Sequence, residues 1–256
     1  EIKDSARGFL PPRMTYTQRQ AIANPVQGLI IYCTDCGING GEPQYYNGYD
    51  WLNMTGGEAK VGSASKWQSK NLNVTTYKNG DTIPEVADSA QWVNLTTGAW
   101  CWYNNDSATN SSTFGRLYNW YAVNDPRGLA PQGWHIPTNT EWNKLTKMID
   151  PLADTNLCCS NRAGIAMKNS NGWNSNDWSD ISGNGTNSSG FSGLPGGARL
   201  DGKFMLFDLF GFWWTSSEYD LANSRCKSLS YNFSYIYLDP VATKTSGLSI
   251  RIVSDK

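Results

Sequence analysis

The sequence has no excess of positive charge and no long apolar run. Its 21 Lys and Arg against 22 Asp and Glu give a formal net charge of -1, so it lacks the basic field that releases counterions from nucleic acid phosphates. Its longest apolar runs, such as residues 28–32, are far too short to cross a bilayer. We therefore expect no nucleic acid partner and no membrane span.

Histidine is almost absent, and common catalytic motifs are missing. The single histidine, His135, directly precedes a predicted helix cap, so we favour a structural role for it over a catalytic one. There is no His-Glu-x-x-His, no Gly-x-Ser-x-Gly elbow and no phosphate-cradling glycine loop. Carboxylates such as Asp177 and Asp180 would suit glycosidase chemistry only at a defined separation across a cleft. The sequence therefore predicts a protein that is not an enzyme.

Aromatic residues are abundant. The 256 residues include 12 Trp, 13 Tyr and 8 Phe, which is too many for a disordered chain. Hydrophobic residues make up 39% of the chain, enough to bury a substantial core in one large domain or two. Because the chain begins with Glu1, we expect that a leader has been removed or that the sequence is a piece of a longer protein.

The chain has six cysteines, an even number that favours disulfides and a secreted or surface-exposed location. Cys33 and Cys36 form a Cys-x-x-Cys motif, for which we prefer a small disulfide at the end of a hairpin. A zinc half-site would need a second pair of ligands, and a redox motif would need a surrounding βαβ pattern. The remaining cysteines are predicted to form two disulfides, adjacent Cys158 and Cys159 pairing in either arrangement with Cys101 and Cys226.

Composition divides the chain into two parts, residues 1–57 and 58–256. In the first, Thr15 and Gln18 have the spacing of a capping box that starts a short helix. Two strands are predicted to follow, at residues 29–32 and 43–46. Because this β-rich module has few core residues, we expect it to dock on its neighbour or on copies of itself. A homotrimer is expected only by analogy with fibre proteins.

The second part predicts an α+β fold with short antiparallel strands, two main helices and long loops rich in Asn, Gly and Ser. One helix begins after Thr138, an N-cap with Glu141 at the capping-box position. Its apolar positions recur on one face: Trp142, Leu145 and Ile149. The other helix is predicted at residues 115–123.

Six different short motifs lie in a characteristic order along the second part. They lie at residues 67–73, 115–123, 133–142, 190–197, 213–218 and 246–252. In order and spacing they resemble the Fibrobacter succinogenes major paralogous domain, and the N-terminal stretch resembles modules that precede such domains in surface proteins and phage-type fibres. The resemblance implies a C-type-lectin-like fold, related to formylglycine-generating enzymes, and an extracellular or cell-surface location.

The resemblance does not extend to the chemistry of the enzyme branch. Formylglycine-generating enzymes carry a cysteine pair near the C-terminus, whereas here Cys226 has no nearby partner in the sequence.

A candidate calcium site lies at residues 174–180, because a loop rich in hard oxygen donors suits a structural Ca²⁺. Asx-turns that bond their own backbone would explain the same composition. The candidate calcium ligands are Asn174, Asn176, Asp177 and Asp180.

The best candidate for a binding surface is a late hairpin with predicted strands at residues 225–230 and 235–239. In this hairpin Leu229 and Ile236 should face the core. The outer residues are mainly Tyr, Asn, Ser and Arg, a mixture that gives rigid contact area and adaptable hydrogen bonds, although tyrosines also pack well in ordinary hairpins. The candidate ligand-binding residues are Tyr219, Asn223, Arg225, Tyr231, Asn232, Tyr235 and Tyr237.

The sequence therefore favours a secreted or cell-surface, adhesin-like module that recognises a protein or a glycan. The first alternative is a structural or tip subunit of a surface fibre or secretion-associated assembly. The second is an enzyme of the formylglycine-generating type, against which the cysteine pattern counts.

Overall fold

The structure is a computed structural model that describes residues 9–36, 41–48, 51–54, 66–150, 152–155, 159–174 and 183–255. The chain divides into two units, Glu1–Ser65 and Lys66–Lys256. The domain boundary predicted between residues 57 and 58 lies outside the described residues.

The first unit is a small sheet with one short helix among its described residues. Its strands are β1 (Arg13–Met14), β2 (Ile30–Cys33), β3 (Glu42–Tyr46) and β4 (Trp51–Asn53), bonded in that order. Helix α1 (Tyr16–Gln20) begins where predicted. The hydroxyl of Thr15 accepts from the backbone N–H of Gln18 at 3.2 Å, and the Gln18 side chain accepts from the backbone N–H of Thr15 at 2.9 Å. The predicted capping box is confirmed.

The second unit has longer strands and a greater variety of elements. Its strands are β5 (Trp100–Cys101), β6 (Leu117–Tyr118), β7 (Trp134–His135), β8 (Cys159–Ser160), β9 (Gly196–Leu200), β10 (Lys203–Phe207), β11 (Phe210–Glu218), β12 (Asn223–Ser230), β13 (Ile236–Tyr237), β14 (Val241–Thr243) and β15 (Val253–Ser254). Its helices are α2 (Ser89–Val93), α3 (Ser107–Asn110), α4 (Trp120–Val123), α5 (Asn139–Ile149) and α6 (Asn161–Met167).

One seven-stranded sheet organises the second unit. Its order is β10-β9-β11-β12-β13-β8, and β14 pairs with the beginning of β12. Strands β9 and β11 are parallel, and the other pairs of this sheet are antiparallel. Two smaller sheets pair β5 with β6 and β7 with β15. Strands β11 and β12 form the longest ladder, so they are the natural scaffold for a site.

Helix α5 packs on one face of this sheet through aromatic side chains. The rings of Trp142 and Trp213 both lie 5.4 Å from the ring of Phe191, and all three side chains are buried. Arg251 is buried beside them, where its Nη1 donates to the carbonyls of Gln68 and Phe191 at 2.7 Å each. Its hydrogen bonds tie the last segment of the chain to the beginning of the unit.

The helix predicted after Thr138 is confirmed. Thr138 and Glu141 form the capping box, and Trp142, Leu145 and Ile149 are buried on one face of α5. Local signals were sufficient here, because both the cap and the apolar face lie within one short segment.

The helix predicted at residues 115–123 is wrong in its first half. Leu117 and Tyr118 form β6, which pairs with β5, and α4 begins only after Asn119. The side chain of Asn119 accepts from the backbone N–H of Ala122 at 3.1 Å and so caps the helix. A strand partner distant in the sequence therefore overrides the helical spacing of this segment.

The architecture, mostly strands in several sheets with a few helices, confirms the α+β class. The C-type-lectin-like topology stays a prediction. Within the described part of the chain, no helix combines the length and apolar character needed to span a membrane.

Candidate functional site

The late hairpin is present and has the predicted orientation. Strand β12 pairs antiparallel with β13, with Leu229 opposite Ile236 and Ser228 opposite Tyr237. Leu229 and Ile236 are both fully buried, as predicted. Because side chains alternate along a strand, Tyr237 lies on the opposite face from Ile236. Next to β13, strand β12 is buried on both faces, since Ser228 and Ser230 are buried as well as Leu229, and Tyr237 is half-buried.

A buried lysine fixes the turn between these strands. Lys168, which follows α6, is 1% exposed, and its Nζ donates to the carbonyls of Ser230 at 3.2 Å and Phe233 at 2.9 Å. The same Nζ lies 5.5 Å from the ring centroid of Trp173. Burial lowers the pKa of Lys168 to about 8. The ammonium thus binds both ends of the turn from beneath.

Three aromatic side chains cluster on the outside of this turn, and we name Phe233, Tyr235 and Tyr237 the aromatic turn. The rings of Phe233 and Tyr235 are stacked with centroids 4.8 Å apart, and Tyr235 meets Tyr237 edge-on at 4.8 Å. Their phenol oxygens are 3.1 Å apart. Burial and the hydrogen bond with Tyr235 raise the pKa of Tyr237 to about 12.

Phe233 was not among the predicted site residues. It is 37% exposed, and its ring completes the stack with Tyr235. A signal was present, because aromatic residues occupy every second position at 233, 235 and 237. Alternation of this kind places side chains on one side of an extended segment.

A second group of predicted residues lies at the other end of β12, where the chain turns from β11 into β12. We name residues 219–225, which include this turn, the hairpin tip. The guanidinium carbon of Arg225 lies 5.0 Å from the ring centroid of Tyr219, and the Arg225 Nη1 pairs with the Asp239 carboxylate. The Asp220 Oδ1 accepts from the backbone N–H and the side-chain amide of Asn223, at 2.7 and 3.0 Å. These hydrogen bonds lower the pKa of Asp220, and the bond from the side-chain amide of Asn223 has the largest effect.

Leu221 is almost fully exposed in the hairpin tip, and it was not among the predicted site residues. Its side chain is 96% exposed, yet its backbone is held, because Nζ of Lys244 donates to its carbonyl at 3.0 Å. Lys244 is itself buried, with its Nζ 4.9 Å from the ring centroid of Trp120. The tip therefore presents an apolar side chain on a fixed backbone.

The predicted site residues thus form two groups rather than one. Tyr219, Asn223 and Arg225 belong to the tip, whereas Tyr235 and Tyr237 belong to the aromatic turn. Between Arg225 and Ser230 the strand rises by roughly 17 Å, at 3.3–3.4 Å per residue. Two further predicted residues lie beside the turn and are half-buried: Tyr231, whose N–H donates to the Leu209 carbonyl at 2.8 Å, and Asn232, whose side chain contacts the Ser230 hydroxyl.

The candidate calcium loop is only partly described. Asn176, Asp177 and Asp180 lie outside the described residues. The backbone N–H of Asn174 donates to the carbonyl of Asp208 at 3.0 Å. The calcium site therefore stays a prediction.

Cys33 and Cys36 form a disulfide, with their Cα atoms 5.3 Å apart. The preferred interpretation of the Cys-x-x-Cys motif is confirmed. Asp35 lies beside the two sulfurs, and its Oδ1 accepts from the backbone N–H of Tyr16 at 2.6 Å. The disulfide loop is therefore bonded to the first turn of α1.

The predicted disulfides of Cys101 and Cys226 are wrong, because both residues are buried free thiols. Cys226 lies in β12 and Cys159 in β8, with β13 between them. Two strand spacings of about 4.8 Å exceed the roughly 7 Å that a disulfide allows between Cα atoms. Cys101 belongs to the separate β5-β6 sheet, and Cys158 lies outside the described residues. Burial raises the pKa of each free thiol to about 12.

His135 lies between two carboxylates. Its Nε2 is 2.8 Å from Oε1 of Glu141, and its Nδ1 is 2.6 Å from Oδ1 of Asp255. Burial opposes the charged imidazole, but the two carboxylates outweigh it and raise the pKa of His135. The side chain therefore joins β7, the beginning of α5 and the segment that follows β15. Its structural role stays a prediction.

Residues 60–254 match the model of the Fibrobacter succinogenes major domain. The chain belongs to this family. The resemblance predicted from the six motifs is confirmed, and the match includes both the aromatic turn and the hairpin tip. Residues 1–71 match the model of a phage tail like trimerisation region.

Neither a curated protein nor a solved structure matches the chain. The two family matches point to a surface- or fibre-type protein. In this chain the match to the trimerisation region lies at the N-terminal side and overlaps the match to the major domain at residues 60–71.

Proposed function

We propose that this chain is an extracytoplasmic binding protein of the surface or fibre type. Its N-terminal module forms a homotrimer, and its C-type-lectin-like domain recognises a protein or glycan without turning it over. The observation that carries the recognition role is the late hairpin, in which Leu229 and Ile236 are fully buried while the aromatic turn is partly exposed and held by its own ring contacts.

Preorganisation supports recognition because a rigid surface loses little conformational entropy when it binds. The ring contacts of Tyr235 restrain it on both sides. Lys168 holds the backbone beneath the turn. Phenol groups also combine apolar area with a hydrogen-bonding end, which suits partners of mixed polarity.

The state of the described free cysteines supports a non-catalytic role. A nucleophilic cysteine reacts as a thiolate and needs a lowered pKa and access to substrate. Cys101 and Cys226 are buried, and burial raises the pKa of each thiol to about 12. Both thiols therefore stay protonated and unreactive near neutral pH.

The Cys33–Cys36 disulfide supports an extracytoplasmic location, because disulfides persist mainly in oxidising compartments.

The match of residues 1–71 to a trimerisation region supports the trimer. Three copies of one recognition domain would bind a surface that repeats its ligand much more tightly than one copy would, provided all three can engage together.

Arrays of glycans and of purified surface proteins test the recognition role. The labelled full chain should bind specific features, and Tyr235→Ala should weaken that binding roughly thirtyfold or more if Tyr235 is a hot spot. Leu152→Ala is the control, because Leu152 is 87% exposed and lies outside the hairpin. Binding that survives Tyr235→Ala and Tyr219→Ala would exclude both the aromatic turn and the hairpin tip.

A structural or tip subunit of a fibre is the second candidate, and the trimerisation match favours it. In this case the second unit serves assembly. The same arrays separate the two functions, because a purely structural subunit should bind no feature specifically.

A further inference from the structure

The N-terminal sheet has two rows of side chains on one of its faces. Ile30 lies opposite Tyr45 and Tyr45 opposite Leu52, so these three form a row across β2, β3 and β4. Arg13, Tyr32 and Pro43 form the adjacent row across β1, β2 and β3. Residues paired directly across strands share a face. We name these six residues the apolar face.

Helix α1 lies on the other side of this sheet. The Nη1 of Arg19 on α1 donates to Oε1 of Gln44, and both side chains are buried. Gln44 and Tyr45 are neighbours in β3, so their side chains point to opposite faces. The apolar face is therefore the side that the helix does not cover.

The chemistry of the apolar face is that of an interface. Its central row is Ile, Tyr and Leu, and its side chains are half-buried. Among these six residues, Arg13 is the only one with a positively charged side chain. It lies on the edge strand β1, and its guanidinium carbon is 4.5 Å from the ring centroid of Tyr32. An apolar centre with a charge at its rim is the usual arrangement of protein interfaces.

We infer that three copies of this chain pack their apolar faces together around a threefold axis. This inference rests on the proposed trimer. The occupant is another copy because residues 1–71, which contain the whole face, match a trimerisation region. A closed ring of three uses the same surfaces on each chain. The row of Ile30, Tyr45 and Leu52 lies nearest the axis, and Arg13 lies toward the rim.

Placing a charge in this row should dissociate the trimer. Leu52→Asp puts one carboxylate per chain, and so three in the assembly, into a desolvated contact. Arg13, the one cation among the six residues of the face, lies on β1, at the opposite edge of the sheet from Leu52 on β4. Sedimentation of the full chain should shift from trimer to monomer. Thr17→Asp is the matched control, because it adds the same charge to an exposed position on α1, and this variant should remain a trimer.

A crosslinking experiment decides the question even if Leu52→Asp prevents the module from folding. In Tyr45→Cys, a short bis-maleimide should join chains into covalent dimers, whereas Thr17→Cys should remain uncrosslinked. The native Cys101 and Cys226 are buried, and the unsubstituted chain measures their background. A wild-type monomer would refute the proposed trimer itself. A wild-type trimer in which Tyr45→Cys does not crosslink would refute only this choice of face.

Discussion

Replacement of Tyr235 by Ala should destabilise the second unit measurably, because its ring makes specific contacts on both sides. It stacks on Phe233 and meets Tyr237 edge-on, each at a centroid distance of 4.8 Å. Such pairs contribute about 0.5–1.5 kcal/mol each beyond their buried area. The phenol contact with Tyr237 adds up to about 1 kcal/mol. These contributions sum to about 1–4 kcal/mol, so Tyr235→Ala should lower the free energy of unfolding by an intermediate value of about 2–3 kcal/mol. As a simple surface residue, Tyr235 would instead cost less than about 1 kcal/mol.

Urea unfolding at constant m value measures this change. Tyr235→Phe keeps both ring contacts and removes only the hydroxyl, so it should cost less than about 1 kcal/mol. Tyr219→Ala is the control, because Tyr219 is 53% exposed and stacks only against the Arg225 guanidinium among its described ring contacts. If Tyr235→Ala costs no more than Tyr219→Ala, the rings do not form a stabilising cluster.

Three further predictions concern the scaffold of the site. Lys168→Met should leave two carbonyls of the turn without their donor and lower the free energy of unfolding by roughly 1–3 kcal/mol. Amide hydrogen exchange at residues 231–234 should accelerate. Unchanged exchange would contradict the role of Lys168. Thr138→Ala should cost about 1 kcal/mol in urea unfolding through loss of the α5 cap, whereas Thr138→Ser should cost much less. Because the pKa of His135 is raised above 6.5, the stability that it contributes is fully present below pH 6.5 and is lost as pH rises through the folded-state pKa. Wild type should thus lose more stability than His135→Gln between about pH 5.5 and about pH 8.5, and equal losses would show that the carboxylate pair does not favour the charged imidazole.

Sequence patterns were sufficient where the interactions were local. The capping boxes at Thr15 and Thr138 span three residues each, and both are present. The alternation around Leu229 and Ile236 gave the correct core face of the hairpin. The family resemblance gave the identity of the major domain.

Patterns failed where a distant partner decides the outcome. Leu117 has helical spacing to Trp120, yet it pairs with a strand that lies sixteen residues earlier at Cys101. The cysteine count suggested bridges, but the sheet order keeps Cys226 two strands away from Cys159. The exposure of Leu221 depends on how the tip is held, and no periodicity in the sequence reports it.

Sedimentation equilibrium of the full chain tests the central claim most directly, namely that this is a trimeric protein that presents three recognition domains. One chain has a mass of 28.4 kDa, so we expect a species of about 85 kDa for a closed trimer. A single species of 28.4 kDa that persists as the protein concentration is raised would contradict it.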